Sequence, residues 1–236
     1  LFAFPLKMVD RYLIKKSYFT IMTSRGFMEY LFPGTIKNNI MIQPNKLDNS
    51  FLSMERSKKE ISKNINFGFI GYIRYPNTIF RFASIIGKRF PNFNFHFYGD
   101  SIYRDQALLI SERYSNVLYH GKYKNPDDIK NIYDSIDVIV SCYDTATLNE
   151  LVAEPNKLYE SLFFCKPIIV SPNTFLARRV KELNCGYEID ATNDDSIIDF
   201  LLNLNISDLN RIADNEFNLS LNEIVDNPTE IVKLFN

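Results

Sequence analysis

The sequence is poor in the residues that build metal sites and disulfide frameworks. Its 236 residues include three cysteines, two histidines and no tryptophan. The cysteines have no CxxC spacing and are odd in number, which argues against a full disulfide framework and fits a reducing, cytoplasmic compartment. Cys142 and Cys165 lie in apolar runs, which indicates core packing. His96 and His120 stand in strand-like runs without a second ligand nearby, so we predict no metal site.

Excess charge and long apolar runs are missing as well. The formal net charge is -1 and no long basic block occurs, so charge gives no argument for a nucleic-acid partner. No apolar run approaches the roughly 20 residues of a membrane span. Lys7, Asp10 and Arg11 interrupt the apolar N-terminal stretch, which argues against a signal peptide. The chain begins with Leu1 rather than methionine, which is compatible with a fragment of a longer protein.

Short apolar runs alternate with helical patterns along most of the chain. The apolar runs predict strands at 18–22, 39–43, 66–70, 93–98, 116–120, 137–142, 167–171 and, more briefly, 186–189. Helical patterns occur at 77–90, 101–114, 125–136, 155–164 and 174–184, the last with Gly186 in the place of a C-cap glycine. Strands that alternate with helices of this length predict an α/β fold with a doubly wound parallel sheet. Continuous apolar strands fit a sheet covered on both faces.

The pattern divides the chain into two unequal parts. Residues 63–236 predict a complete Rossmann-like domain, followed by helices at 195–204, 208–218 and 228–235. Residues 1–62 hold a basic helix, a strand, a short helix and a second strand, and then a polar linker at 44–64. This first part is too small to form a sheet domain alone. We interpret it as the end of another α/β domain, either absent from this chain or supplied by a partner.

Candidate site residues lie in the loops after the predicted strands, where open parallel sheets bind ligands. Gly71 and Arg74 precede a helix that begins near Asn77, and a glycine, an arginine and a helix N-terminus together suit an anion. The alternative is that Arg74 is a solvated loop residue. Gly121 and Tyr123 follow another strand, where they form either a plain surface loop or the side of a nucleobase pocket.

The longest predicted loop, 143–154, is a further candidate. It holds Asp144, Asn149, Glu150 and Glu154, and long loops within compact domains are often binding loops. It leads directly into the helix at 155–164.

Lys157 falls in the first turn of that helix, where its charge opposes the helix dipole. Glu160 lies three residues on and shares its face. A bound phosphate would reverse the penalty on Lys157, whereas a surface Lys–Glu pair would contribute only about a few tenths of a kcal/mol. The apolar run "LYESLFF" leaves little of this helix in water, which argues against the surface pair.

These residues resemble the C-terminal, donor-binding domain of GT-B glycosyltransferases, especially bacterial enzymes that build capsular, exopolysaccharide or lipopolysaccharide chains. The likeness lies in Gly71, Arg74, "YG" at 98–99, Gly121, Asp137 and "EPNKLYESLFFCKPIIVS" at 154–171. "PNKLYE" followed by "KPIIVS" is similar to the family's pattern for the helix that contacts the nucleotide sugar. The segments at 18–31 and 39–48 resemble the last units of the acceptor-binding domain. The resemblance therefore covers nearly the whole chain, but only about the second half of an enzyme.

The resemblance implies a hexosyl- or glycosyltransferase that moves a sugar from a nucleotide sugar to a saccharide or lipid-linked acceptor. Lys157 and Arg74 would offset the charge of the diphosphate leaving group, and Glu160 would bind the ribose. Gly71 would let the backbone approach the phosphates. The other implied donor-binding residues are Asn77, Gly121, Tyr123, Asn149, Glu154 and Asn156. No metal or other cofactor is implied.

Two positions depart from the family pattern. Cys165 stands before "KP", where relatives usually have a small residue. Many relatives carry a glutamate separated by seven residues from the equivalent of Glu160, and Val152 stands at that position here. Glu154 or Glu150 is the nearest substitute, although the spacing differs.

Two other functions stay open. The first is a non-catalytic nucleotide-sugar-binding or partner module that needs a separate acceptor domain. The second is a nucleotide-sugar epimerase with the same fold, which would need catalytic carboxylates and histidines in its cleft. His96 and His120 show no obvious pairing, which ranks this function lower.

The N-terminal helix raises a question of location. Lys7, Arg11 and Lys15 recur at i, i+4 and i+8 between apolar residues, and such a stripe can rest on an anionic membrane surface. That interpretation predicts a cytoplasmic protein with peripheral contact at the inner face of the membrane. An ordinary solvated face is the favoured alternative.

Overall fold

The computed structural model describes residues 3–35, 37–227 and 229–233, and these contain two parallel sheets of unequal size. The smaller sheet pairs β1 (Thr20–Met22) with β2 (Ile40–Ile42). The larger sheet consists of β3 (Asn66–Ile70), β4 (Asn94–Tyr98), β5 (Val117–Gly121), β6 (Val138–Ser141), β7 (Ile168–Val170) and β8 (Gly186–Glu188). Its six strands are all parallel and run in the order β5-β4-β3-β6-β7-β8. The doubly wound parallel sheet that the sequence predicts is confirmed.

Helices surround the large sheet and form most of the N-terminal part. The N-terminal part has α1 (Ala3–Lys16) and α2 (Arg25–Leu31). The crossover helices are α3 (Pro76–Arg89), α4 (Arg104–Arg113), α5 (Ile129–Ser135), α6 (Leu148–Val152), α7 (Asn156–Phe164) and α8 (Phe175–Leu183). The last helices are α9 (Asp194–Leu202), α10 (Ile206–Asn218), α11 (Leu221–Ile224) and α12 (Thr229–Lys233). The helix expected at 228–235 extends beyond the described residues at both ends. No helix within the described part of the chain is long and apolar enough to cross a membrane.

Two apolar layers cover the two faces of the large sheet. Phe67, Phe95 and Val138 pack on one face with α3, α4 and α9, while Ile139 and Ile168 pack on the other with α5, α7 and α8. The division follows from the alternation of side chains along each strand. The three cysteines are buried and free, so the expected core packing of Cys142 and Cys165 is confirmed.

The segment 143–154, expected to be an irregular loop, contains α6. A capping box explains its start, because the Thr147 side chain and the Glu150 side chain each bond to the other residue's backbone. The Thr147 N–H donates to Glu150 Oε2 over 2.8 Å. The signature Thr-x-x-Glu stands in the sequence, but the polar composition of the segment conceals it.

Helix α8 ends differently from the expectation that Gly186 would be its C-cap glycine. Asn184 occupies the cap with a φ of 48°, a left-handed conformation that asparagine tolerates. Gly186 instead begins β8, where a Cβ would lie 1.8 Å from the Ile168 carbonyl oxygen. The glycine therefore permits close pairing of β7 and β8.

The polar segment expected as a linker follows the surface of the large-sheet part. Leu47 forms a parallel bridge with Val225, and Phe51 is buried against the core. The Arg56 guanidinium donates to carbonyl oxygens at the ends of α7 and α10, with distances of 2.8 Å to Leu162 and 2.9 Å to Phe217. Further bonds go to Phe163, Glu216 and Leu219. One cation thus satisfies carbonyl groups that two helix ends leave without partners.

Arg56→Ala is expected to lower the free energy of unfolding by about 2–3 kcal/mol, because several charge-assisted hydrogen bonds at two helix ends are lost together. Chemical denaturation measures the change. Lys58→Ala is the matched control, since its pair with Asp214 is exposed and contributes less than about 1 kcal/mol. Equal stability of the two variants would contradict this role of Arg56.

Candidate functional site

A cleft opens at the carboxyl edge of the large sheet between β3 and β6. This is the point at which the strand order reverses, where doubly wound folds bind ligands. The cavity has a volume of about 280 Å³. Its lining includes Gly71, Arg74, Tyr75, Tyr143, Asn149, Glu150, Asn156 and Lys157. The structure therefore brings together six of the residues that the sequence singled out, namely Gly71, Arg74, Asn149, Glu150, Asn156 and Lys157.

The turn after β3 exposes backbone to the cleft. Gly71 has a φ of 135°, a region that side-chain-bearing residues rarely adopt, and its N–H donates to the Tyr98 carbonyl over 2.8 Å. The nearest atom to a Cβ at Gly71 would be Lys157 Cε at 3.8 Å. Gly99 is as constrained, since a Cβ there would lie 1.9 Å from the Gly71 carbonyl oxygen. The space above Gly71 stays free for a ligand that approaches the backbone.

The N-terminus of α7 forms the opposite side of the cleft. Pro155 precedes the helix, and no side chain caps it. The N–H groups of Asn156 and Lys157, in the first turn, have no acceptor within the helix. Both residues line the cleft. Open N–H groups, the positive end of the helix dipole and the lysine charge together suit an anion such as phosphate.

Lys157 forms a buried ion pair with Glu160, so the surface-pair alternative is wrong. The lysine side chain is 13% exposed and the glutamate side chain 3%. The Tyr133 hydroxyl also donates to Glu160 Oε2, and the Asn156 amide donates to Glu160 Oε1 over 3.2 Å. Both carboxylate oxygens therefore have partners in this structure.

Two tyrosines near the ion pair stay neutral over the physiological pH range. Burial raises the pKa of Tyr133 well above its ordinary value, and the Glu160 charge raises it further. Burial first and the Glu160 charge second raise the pKa of Tyr123 to about 12. Both phenols therefore keep their protons, and the Tyr133 hydroxyl acts as a hydrogen-bond donor to Glu160.

Arg74 supplies a second positive charge to the cleft. Its guanidinium lies 5.7 Å from the centre of the Tyr72 ring, and no acidic partner occurs among the residues that the structure describes. The side chain is exposed. Across the cleft Glu150 is held by its capping bond to Thr147. The cleft thus has one fixed cation, Lys157, and one cation without an acidic partner.

Asp144 occupies the N-terminus of α3, where the sequence suggested an anion site. Its Oδ1 accepts bonds from the Thr78 N–H at 3.2 Å and the Thr78 hydroxyl at 2.8 Å. The Asn77 amide donates to its Oδ2 over 3.1 Å. A carboxylate from another loop therefore caps this helix, and the amide of Asn77 is engaged rather than directed to a ligand.

Gly121 and Tyr123 lie outside the lining of the main cleft. The Gly121 carbonyl accepts a bond from the Gly99 N–H over 2.7 Å. Tyr123 borders a groove of about 290 Å³ together with Tyr98, His120 and Lys122. Tyr123 also packs against the apolar cluster that contains Tyr133, which connects this groove to the surroundings of Glu160.

Glu154 is not brought into the cleft. Its carboxylate is buried, accepts a bond from the Tyr159 hydroxyl over 2.6 Å and pairs with Arg179 Nε over 3.1 Å. It lines a separate cavity with Arg25 and Glu29. The carboxylate is therefore engaged with Arg179 of α8, and Asn149 and Glu150 border the cleft in its place.

An aromatic pair at the cleft did not stand out in the sequence. The rings of Tyr75 and Tyr143 lie 4.5 Å apart between centroids, and both residues line the cleft. Each of the two residues follows the end of a strand, and this position was the one feature of the sequence that could have indicated a place at the cleft. Aromatic residues beside apolar runs are usually core residues, and this concealed the pair.

The two histidines pair with each other, contrary to the expectation of no pairing. His96 Nδ1 lies 3.0 Å from His120 Nε2, and the Tyr98 ring stacks on His120 with centroids 4.2 Å apart. Burial and the neighbouring His120 lower the pKa of His96 to about 4. Neither histidine lines the main cleft. The described residues contain no group of three or more His, Cys, Asp or Glu side chains that could hold a metal ion.

Comparisons with known proteins support the fold through structure and not through sequence. No family model and no curated protein sequence matches the chain. A mutant of TarM from S. aureus, solved with fondaparinux, alpha-GlcNAc-glycerol and UDP, matches with a TM-score of 0.70 and 15% identity over 94% of this chain and 45% of that one. HepE from Anabaena, solved with UDP and glucose, matches with a TM-score of 0.66 and 12% identity over 97% of this chain and 66% of that one.

WaaG, a glycosyltransferase involved in lipopolysaccharide biosynthesis, is similar in the same way. Its TM-score is 0.63 at 13% identity, over 91% of this chain and 61% of that one. This chain thus spans about half to two thirds of the length of these structures. The likeness confirms the predicted GT-B type of fold.

Asp144→Ala is expected to lower the free energy of unfolding by about 1 kcal/mol, because α3 loses its cap. Asp134→Ala is the control, since the exposed pair of Asp134 with Lys130 contributes about 0.5 kcal/mol or less. Urea denaturation compares the two variants. A loss for Asp144→Ala no larger than that of the control would show that the cap contributes nothing.

Proposed function

We propose that this chain is the donor-binding part of a glycosyltransferase that transfers a sugar from a nucleotide sugar to a saccharide or lipid-linked acceptor. The observation that carries the proposal is the cleft at the strand-order reversal, where Lys157 and the open N-terminus of α7 face the Gly71 turn. Two of the similar structures were solved with UDP, which supports a nucleotide as ligand. The chain covers only part of those structures, so the full reaction is part of the proposal.

The proposed role of the cleft is to receive the diphosphate of the donor. Its phosphate oxygens would accept bonds from the first N–H groups of α7 and from Lys157, and Arg74 would add a second charge. Lys157 would then exchange its carboxylate partner for phosphate, which leaves Glu160 able to accept ribose hydroxyl bonds. The Gly71 turn has room for the close approach of such a ligand.

Transfer breaks the bond between the sugar C1 and the phosphate oxygen, and the nucleoside diphosphate leaves with the electron pair. The acceptor oxygen forms the new bond to C1 and releases its proton. Negative charge grows on the leaving diphosphate as the bond breaks. Lys157, Arg74 and the α7 dipole stabilise that charge more strongly in the transition state than in the bound donor, which lowers the barrier.

A second candidate is a non-catalytic donor-binding module that a separate acceptor-type polypeptide completes. The observation that favours it is the incompletely covered apolar surface of the N-terminal part. Among the described residues the sheet of β1 and β2 has two strands, whereas parallel sheets are usually larger and covered on both faces. α1 leaves large apolar side chains exposed, among them Leu6, Val9 and Leu13. A polypeptide that extends the sheet and covers α1 would bury this surface.

We also propose that α1 contacts a membrane. The protein would then act at the cytoplasmic face, in the synthesis of a bacterial capsule or another surface polysaccharide. Two cations of the basic stripe are engaged within the protein: the Lys7 ammonium lies 3.7 Å from the centre of the Tyr30 ring, and Arg11 donates to the Leu31 carbonyl. Apolar residues and the basic end at Lys15 and Lys16 remain for a lipid surface.

Arg74→Ala is expected to weaken nucleotide-sugar binding by at least about tenfold, since one charge-assisted contact to phosphate contributes about 1.5–3 kcal/mol. Titration calorimetry with UDP, GDP and UDP-sugars measures the change. Arg74 is exposed, so the variant should keep its fold.

Lys157→Ala should weaken nucleotide-sugar binding as strongly as Arg74→Ala. Because Glu160 loses its ion-pair partner in this variant, the melting temperature is measured as a check on the fold. Lys130→Ala, at an exposed pair, is the control. Absence of nucleotide binding at millimolar concentration, or native affinity in both cleft variants, would reject the donor site.

Val9→Asp is expected to reduce sedimentation of the protein with vesicles that contain anionic lipid, because the charge opposes insertion of the apolar face of α1. Leu202→Asp, at an exposed apolar residue of α9, is the matched control. Equal sedimentation of native protein with neutral and anionic vesicles, or no effect of Val9→Asp, would remove the membrane proposal. Covering of α1 by a polypeptide would then be favoured.

A further inference from the structure

Helix α6 forms one wall of the cleft and has little support of its own. It has five residues, none of them buried, and Leu148 and Leu151 are partly exposed. Asn149 and Glu150 face the cleft from this helix. Its capping box is internal to the segment and does not attach it to the sheet. The position of this wall therefore depends on what α6 rests against.

Helix α8 packs against α6 from the large-sheet part, and helix α2 of the N-terminal part adds support through Ser24. The Ser24 hydroxyl is fully buried and donates to the Val152 carbonyl, at the end of α6, over 2.6 Å. The same hydroxyl accepts a bond from the Gly26 N–H over 2.9 Å and thereby caps α2. One side chain thus fixes the start of α2 and holds the last carbonyl of α6.

Gly26 lets the two helices approach this closely. A Cβ at Gly26 would lie 2.3 Å from the Val152 carbonyl oxygen and 2.9 Å from the Phe175 ring. Neither the backbone oxygen nor the buried ring can yield at low cost, so no larger residue fits without moving α6 or α2. A second contact beside it, the ion pair of Glu29 with Arg178, joins α2 to α8.

We infer that Ser24 and Gly26 are positioning residues for the donor cleft. Their contacts pack α2 against α6, and this packing determines the position of the cleft wall that carries Asn149 and Glu150. Movement of the N-terminal part relative to the large sheet would shift this wall. The N-terminus of α7, with Lys157, belongs to the large-sheet part and would keep its position. The inference rests on the proposed function, with α6 facing the sugar end of the donor. The two residues act through α6 and do not contact the ligand themselves.

Ser24→Ala and Gly26→Ala in the full chain test the inference with two measurements. The first compares binding of UDP and of a UDP-sugar by calorimetry. Both variants are expected to bind UDP within about twofold of the native affinity, while the preference for the UDP-sugar over UDP changes at least about fivefold. The second is hydrogen exchange of the α6 amides, which should become faster in Ser24→Ala while exchange in α7 stays unchanged.

Ser17→Ala is the matched control, because the Ser17 hydroxyl bonds to Ile14 and Thr20 within the N-terminal part and does not contact α6. Native exchange rates in α6 of Ser24→Ala, or the same change in Ser17→Ala, would overturn the inference. If nucleotides bind and the preference for the UDP-sugar is unchanged in both variants, the inference fails while the proposed function stands. If native protein binds no nucleotide, the proposed function fails. Faster α6 exchange in Ser24→Ala would still show that the contact with α2 holds α6 in position.

Discussion

The buried ion pair of Lys157 and Glu160 is the interaction on which the site depends. It stands at the N-terminus of α7, where the helix dipole disfavours a cation, and it removes two charges from water. Such a pair is a poor source of stability, since an apolar pair of similar volume often serves as well or better. The proposed donor diphosphate would account for it, because phosphate at the helix terminus favours the lysine and would release the glutamate for other hydrogen bonds.

The fold holds the helix that carries this pair along its whole length. Arg56 caps the carboxyl end of α7, and in its middle the Ser161 hydroxyl donates to Glu216 Oε1 over 3.1 Å. Glu216 is fully buried, and burial raises its pKa well above the ordinary value. The helix, held at its carboxyl end and in its middle, brings its open N-terminus to the same cleft as Gly71. Preorganised groups of this kind stabilise developing charge without rearrangement.

Local rules predicted much of this arrangement. The strands and crossover helices followed from apolar periodicity, and the i, i+3 spacing of Lys157 and Glu160 was enough to predict that they share one helix face. Contacts between distant residues were beyond those rules. Asp144 caps a helix 66 residues earlier in the chain, and Glu154 pairs with Arg179, which lies 25 residues later. Both contacts depend on how loops from different strand ends meet, and no local pattern in either segment encodes that.

A structure of the chain with UDP bound tests the central claim most directly. The account predicts that diphosphate oxygens lie within hydrogen-bond distance of the Lys157 ammonium and of the first N–H groups of α7, with the bond from Lys157 to Glu160 lengthened or broken. UDP bound away from the N-terminus of α7, with the Lys157–Glu160 pair unchanged, would contradict the account.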